Sequence, residues 1–403
     1  MKHIIILGDG MSDLPIAKLG GKTPLMAANT PNIDQLAKMG RSGLLITVPS
    51  DMPPGSEIAN MGVMGYDVKK VYQGRGVLEA ASMGVELTDD DLALRCNLVC
   101  IDGENIKNHS AGHISTEEAN ELIDFLNEKL ANKTIKFYPG VSYRHLLVIK
   151  GGDANLACTP PHDVPEKPFI PLLIKPKTVE ASATANLLND LIMKSQELLA
   201  SHPINLARKA AGKDPANSIW PWSPGYKPQM PTLKELFGVQ KSAVISAVDL
   251  IQGIGVYAGM EVIKVEGATG LYDTNYEGKV EAAIHALKSG ADFVYLHIEA
   301  SDEAGHEGNV ELKTKTIEYL DYRIVKPILD AAKEMDEPMA IGLLPDHPTP
   351  CDLRTHTHDP VPFVIYRPGE VPDGVEEYNE ESAKKGSYGT IKGDEFIKAL
   401  LGK

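Results

Sequence analysis

Residues 3–7, His-Ile-Ile-Ile-Leu, form an apolar run without polar alternation after its first position. Short β-branched runs of this kind read as strands buried on both faces. The run stops at Gly8-Asp9-Gly10, which puts a carboxylate at the C-terminal edge of the strand, where open α/β sheets bind ligands. The period then changes. Asn32-Ile-Asp-Gln-Leu-Ala-Lys-Met, after Thr30-Pro31, spaces its apolar positions for an amphipathic helix, and 44–48 reads as a second strand. From residue 243 the two periods alternate: strand 243–245, helix 248–258, strand 261–265, helix 277–288, strand 293–298, helix 313–334 and strand 340–344. A last strand, 363–366, and a terminal helix, 393–401, complete the series. This alternation predicts an α/β fold with a mainly parallel sheet and helices on both faces.

Between the two halves the pattern breaks. Gly74-Arg75-Gly76 reads as a hinge. Beyond it, helix 116–130 and strands 94–99 and 145–149 are set among proline-rich stretches at 159–176 and 220–231. The expectation is one discontinuous domain, 1–73 with 238–403, interrupted by an inserted α+β domain, 74–237. A length of 403 residues accommodates both.

Composition narrows the partners. A net charge of -15 argues against nucleic acid, whose phosphates need a basic surface. An acidic chain binds a small anion only through a local cluster of Arg, Lys, backbone N–H groups or metal ions. Cys96, Cys100, Cys158 and Cys351 are too few and too scattered for a disulfide framework, and they read as reduced thiols of a cytoplasmic protein. No run approaches the ~20 apolar residues of a membrane span, so no membrane partner is expected. A monomer or small homo-oligomer is the expected state.

Candidate chemistry gathers at predicted strand ends. Ser56 follows Pro53-Pro54-Gly55 at a helix start. Taken alone the position reads first as a helix cap; the other reading is a nucleophile, since the free N–H groups and the dipole there favour phosphate. Strand 293–298 leads to Asp302 and His306, four apart and so on one helical face. Strand 340–344 leads to Asp346-His347, and a short loop brings His356 and His358 before strand 363–366. With Asp9, this collects carboxylates, imidazoles and one hydroxyl at one sheet edge. Such a set suits zinc or manganese and is large enough for two ions, which together clamp the attacking and leaving oxygens of phosphoryl transfer.

Gly8-Asp9-Gly10, Gly55-Ser56, Asp302-x-x-x-His306, Asp346-His347 and His356-x-x-Asp359-Pro360-Val361-Pro362 resemble the metal and nucleophile motifs of the alkaline phosphatase superfamily. More narrowly, the chain resembles the archaeal-type 2,3-bisphosphoglycerate-independent phosphoglycerate mutases over nearly its whole length. Gly74-Arg75-Gly76, Arg95-Cys96-Asn97, Gly267-Ala-Thr-Gly270 and Asp273-Thr-Asn-Tyr276 add to that match. The resemblance implies an alkaline phosphatase-like fold and interconversion of 3- and 2-phosphoglycerate through a phosphoserine. It implies two divalent ions, manganese with zinc or magnesium as alternatives, and no 2,3-bisphosphoglycerate. Ser56 would be the nucleophile. Asp9, Asp346 and His347 would hold one ion with Ser56 beside it, and Asp302, His306 and His356 the other. The insert would bind the carboxylate of a small phosphorylated substrate, through Arg75, Arg144, Arg208 and Lys209. The insert also departs from the family at Asn108–His113, where relatives tend to carry Asp and arginines, and at Trp220–Gly225, a segment that often contains Arg-Gly. His113 stands there in place of a guanidinium. These departures keep open a homoserine kinase-like phosphotransferase of the same family, and a metal-dependent phosphatase.

Overall fold

In the computed structural model, which describes Met1–Lys403, the opening apolar run lies inside the strand Lys2–Gly8. Ile4, Ile5, Ile6 and Leu7 are all fully buried, as expected of a strand covered on both faces. This strand is the fourth of an eight-stranded sheet. The order is Glu261–Val262, Ser242–Ile245, Phe293–Ile298, Lys2–Gly8, Met339–Leu344, Val361–Tyr366, Arg41–Ile46 and Thr390–Lys392. Phe293–Ile298 and Met339–Leu344 flank the central strand in parallel, with Ile5 opposite Tyr295 on one side and Gly342 on the other.

Three details correct the sequence reading. Val361–Tyr366 runs antiparallel to both neighbours, and it is followed by a further short strand, Thr390–Lys392, at the sheet edge. The reversal has a local cause: residues 345–360 hold no helix to make the crossover that a parallel return uses. The expected helix 313–334 is two helices, Val310–Tyr319 and Lys326–Glu334, joined by a π-helical stretch at Leu320–Val325. Pro327 accounts for the break, since it has no N–H to donate and its ring crowds the carbonyl one turn earlier; the widened turn lets the axis continue. The strand expected at 261–265 is only Glu261–Val262.

Alternate strand positions sort to the two faces. Ile4, Ile6, Val294, Leu296, Ile341 and Leu343 pack with Ile33 and Leu36 of Pro31–Met39, Val280 and Leu287 of Tyr276–Lys288, and Ile324 and Ile328. The opposite face carries Tyr295 and His297 and receives the helix Ser56–Val63. It also receives Glu395–Leu401, whose Phe396 and Leu400 press on Gly342, and Asp249–Tyr257, whose Gly255 presses on Val244.

The chain divides into two compact units, Met1–Tyr72 with Met230–Lys403, and Gln73–Gln229. The second unit is built on antiparallel strands. Asp91–Asp102 lies between Arg144–Lys150 and Ser218–Gly225, Ile135–Val141 extends the sheet on the Arg144–Lys150 side, and Asn105–Asn108 returns along the end of Asp91–Asp102. Leu94, Cys96 and Leu98 form its core with Leu122, Ile123 and Leu126 of Thr116–Leu130 and Leu188 and Ile192 of Ser182–Ala200. All four cysteines are free thiols. No helix is long and apolar enough to cross a membrane.

Candidate active site

Parallel strands deliver the loops that follow them to one edge of the sheet, and that edge is where the predicted groups meet. Asp9 follows Lys2–Gly8, and Asp346 and His347 follow Met339–Leu344. Asp302 and His306 lie in Ala300–His306, just after Phe293–Ile298. His356 precedes the reversed strand, whose start lies at the same edge. The turn at Gly10 requires glycine twice over. Its φ is +60°, and a Cβ there would stand 2.6 Å from Asp302 Oδ1. Freed of a side chain, Gly10 N–H donates to Asp346 Oδ1 at 3.1 Å.

Ser56 is the first residue of its helix and makes no cap; Gly55 occupies the N-cap. The Ser56 hydroxyl faces His347 instead, with Oγ 3.1 Å from Nε2. That corrects the capping reading of this serine. His347 Nε2 also lies 3.6 Å from Asp9 Oδ1 and 3.4 Å from Asp346 Oδ2. Asp302 stands at the other side of the cluster, with Oδ2 3.2 Å from His306 Nε2 and Oδ1 3.3 Å from His356 Nε2. His356 stacks on His347 with ring centres 3.8 Å apart. His358 lies outside this cluster, its Nε2 on the carbonyl of Met52 at 2.7 Å.

The electrostatics of the cluster call for cations. Asp9, Asp302 and Asp346 are all buried. Burial first, then the charges of Asp346 and Asp302, push the Asp9 carboxyl well above the usual range. Asp9 Oδ1 is buried without a hydrogen-bond partner. The imidazoles carry the same message. His306 Nδ1 meets the carbonyl of Arg354 at 3.1 Å and His356 Nδ1 meets that of Pro54 at 2.6 Å. A carbonyl only accepts, so both Nδ1 atoms carry protons. Their Nε2 atoms are then left 2.9 Å apart beside Asp302. Two lone pairs at that distance need a cation or a proton between them. With protons alone, the hydrogen bond to Asp302 lifts His306 to about 9. Two overlapping groups, Asp9–Asp346–His347 and Asp302–His347–His356, each hold their donor atoms within 4.8 Å of one another. The mix of imidazole nitrogen and carboxylate oxygen fits divalent zinc or manganese.

Several buried polar residues behind the cluster were not singled out from sequence. His297 Nε2 lies 2.9 Å from Asp9 Oδ2, and its Nδ1 lies 3.2 Å from Ser246 Oγ. Burial lowers His297 to about 3, so the ring is neutral. Asn60 Nδ2 donates to Asp346 Oδ2 and to the Ser56 carbonyl, each at 2.8 Å. Thr349 Oγ1 donates to Asp302 Oδ1. Fully buried Lys313 donates to the carbonyls of Ser12 and Thr349 and to Asp13 Oδ2 at 2.8–2.9 Å, tying together the loops that carry Asp9 and Asp346.

The expected substrate residues lie in the Gln73–Gln229 unit. Arg144 is exposed, its guanidinium 5.9 Å from the ring centre of Tyr143. His113 is exposed, with φ +52°, and meets Tyr143 edge-on at 6.5 Å. Lys209 is exposed, and the backbone N–H of Arg75 donates to Ser223 Oγ at 3.1 Å. Arg208 departs from the expectation of a substrate-facing group. It is 3% exposed and holds Glu118 Oε2 and the carbonyls of Asp214 and Ala111 at 2.5–2.8 Å. A guanidinium so committed braces the 109–113 turn from within. In the Trp220–Gly225 segment, Trp222 lies under the guanidinium of Arg95 at 4.5 Å, and Arg95 also pairs with Glu79 at 3.0 Å.

The profile of the family described as 2,3-bisphosphoglycerate-independent phosphoglycerate mutase matches residues 37–205. A protein of that name from Methanosarcina mazei is 52% identical over 403 residues, covering all of both chains. Among solved structures, the PH0037 protein of Pyrococcus horikoshii superposes with a TM-score of 0.83 at 31% identity, covering 100% of this chain and 97% of that one. The cofactor-independent phosphoglycerate mutase of Thermoplasma acidophilum superposes at 0.70 with 29% identity, covering 100% and 99%. On full-length identity of this order, the chain belongs to the 2,3-bisphosphoglycerate-independent phosphoglycerate mutase family.

Proposed function

We propose that this protein interconverts 3-phosphoglycerate and 2-phosphoglycerate without 2,3-bisphosphoglycerate, using Ser56 as a transient phosphoryl acceptor. The observation that carries the reading is the Ser56 hydroxyl, 3.1 Å from His347 Nε2 at the first position of a helix, inside a cluster of buried carboxylates and imidazoles. Full-length relatives that bear the mutase name support the choice of substrate.

Asp9, Asp346 and His347 would hold one divalent ion beside Ser56, and Asp302, His306 and His356 a second; manganese is the ion proposed. Bound there, such ions would lower the pKa of the serine hydroxyl and offset the charge of the phosphoryl oxygens. Ser56 Oγ gives up its proton and bonds to phosphorus as the bond from phosphorus to the 3-oxygen of glycerate breaks, and the 3-oxygen ends with that proton. In the return step the 2-oxygen attacks the phosphoserine, the bond from phosphorus to Ser56 Oγ breaks, and the proton of the 2-hydroxyl ends on Ser56. The helix N-terminus favours the phosphoryl group at Oγ through its dipole. Water has to be kept from the phosphoserine, or the reaction ends as hydrolysis. For the substrate carboxylate, the Gln73–Gln229 unit offers Arg75, Arg144, Lys209 and His113.

The test is turnover of 3-phosphoglycerate by manganese-loaded protein in the absence of 2,3-bisphosphoglycerate. 2-Phosphoglycerate should form, chelation should stop it, and Ser56→Ala should lower kcat by at least about a thousandfold. Full activity in the Ser56→Ala protein would remove this serine as the nucleophile.

A further inference from the structure

The side chain of Asn60 uses every hydrogen-bonding position that it points toward the site. One amide hydrogen goes to the Ser56 carbonyl, one turn earlier, and the other to Asp346 Oδ2. Its Oδ1 accepts from the hydroxyl of Tyr295 at 2.6 Å. Asn60, Tyr295 and Asp346 are all fully buried. Two acceptors on one side fix which way the amide faces, because the inverted amide would set its oxygen against a carbonyl and a carboxylate. Tyr295 stands mid-strand in Phe293–Ile298, beside Ile5 of the central strand, so its hydroxyl is carried by the middle of the sheet. Asp346 receives the amide on Oδ2 while its Oδ1 accepts from the backbone N–H groups of Gly10 and His347. One carboxylate thus ties the loop of Gly10 to its own loop, and Asn60 attaches the nucleophile's helix to it.

We propose that Tyr295 and Asn60 are positioning residues that lock the Ser56 helix to the Asp346 carboxylate and so fix Ser56 Oγ for attack. The proposal rests on the reading of Ser56 as nucleophile. Asn60 acts through the Ser56 carbonyl and Asp346, and Tyr295 acts through Asn60. Misplacement of a reacting group by about 1 Å costs on the order of a hundredfold in rate, so a relay that removes this freedom has a measurable effect.

The experiment uses the full chain with Tyr295→Phe, which keeps the ring and removes the hydroxyl. Three readouts are taken: steady-state kinetics with 3-phosphoglycerate, manganese binding by calorimetry, and hydrogen exchange of the Ile58 and Ala59 amides in metal-free protein. Loss of an outer hydrogen-bond partner of this kind costs roughly 10–100-fold. The expected result is a kcat lower by that factor with KM within about twofold, and manganese affinity lower by roughly tenfold. Exchange at Ile58 and Ala59 should also quicken, since the helix start is less tightly held. Asn60→Ser should change the same quantities in the same direction. An unchanged kcat, or unchanged exchange, in Tyr295→Phe overturns the relay. If the unaltered protein makes no 2-phosphoglycerate, the mutase reading fails by itself, and the exchange and manganese measurements still decide this proposal.

Discussion

At the scale of single residues, the most telling pair is His306 and His356. Two ring nitrogens 2.9 Å apart beside one carboxylate form a poor contact until something positive sits among them. His306→Ala should therefore lower bound manganese and rate together, each by roughly 10–100-fold. Metal analysis of the purified variant checks this, and a full complement of metal would remove His306 as a ligand. The Asp and His residues of the cluster were legible in sequence because they stand in the segments just after apolar runs or, for His356, just before one. Asn60, Tyr295 and His297 were not, because they lie within runs that read as core. The signal was present as an amide inside Ile58–Met61 and an imidazole inside Phe293–Ile298. A polar group in the middle of a doubly covered element has to find a partner there, and these found Asp346, Ser56 and Asp9.

At the scale of elements, the strand Arg144–Lys150 carries a cost within it. His145 is 2% exposed; its Nδ1 accepts from the Gly140 N–H at 3.0 Å, and its Nε2 is buried with no partner. Burial lowers its pKa to about 3. The unfolded chain has an ordinary histidine near pH 6.5, so as pH falls below that value the unfolded state gains a proton that the folded state refuses. This contribution leaves stability intact above about pH 6.5 and removes about 1.4 kcal/mol per pH unit between there and about pH 3. Denaturant titrations at pH 6 and 5 should show a loss larger by about that amount than in His145→Leu. Equal losses would mean that His145 takes up its proton in the folded protein as readily as in the unfolded chain. Element type was largely legible, because hydrophobic period decides it locally. The direction of Val361–Tyr366 and the π-helical turn before Pro327 were not, because direction depends on the connection between strands and the turn on how one proline is absorbed.

At the scale of the whole molecule, every candidate metal ligand belongs to the Met1–Tyr72 and Met230–Lys403 unit. Manganese should therefore stabilise that unit selectively. At a hundred times its dissociation constant it adds about 2.7 kcal/mol. Scanning calorimetry should show one transition rising with manganese while that of the Gln73–Gln229 unit stays in place. Two transitions rising together would mean that the units unfold as one. The strand–helix alternation that stops near residue 74 and resumes near 243 is a visible mark of a unit made from separate stretches of chain.

The same arrangement sets a timetable for the growing chain. Lys2–Gly8 is made long before its two sheet neighbours, which begin at Phe293 and Met339. At about 5–20 residues per second, the central strand waits roughly 15–60 s on the ribosome for its first partner. Throughout that interval an apolar, β-branched segment with open edges is present in the cell, the kind that other chains join most readily. The Gln73–Gln229 unit, by contrast, is made of one continuous stretch of chain. Shelter for residues 2–8 during translation is thus a requirement separate from the stability of the finished sheet.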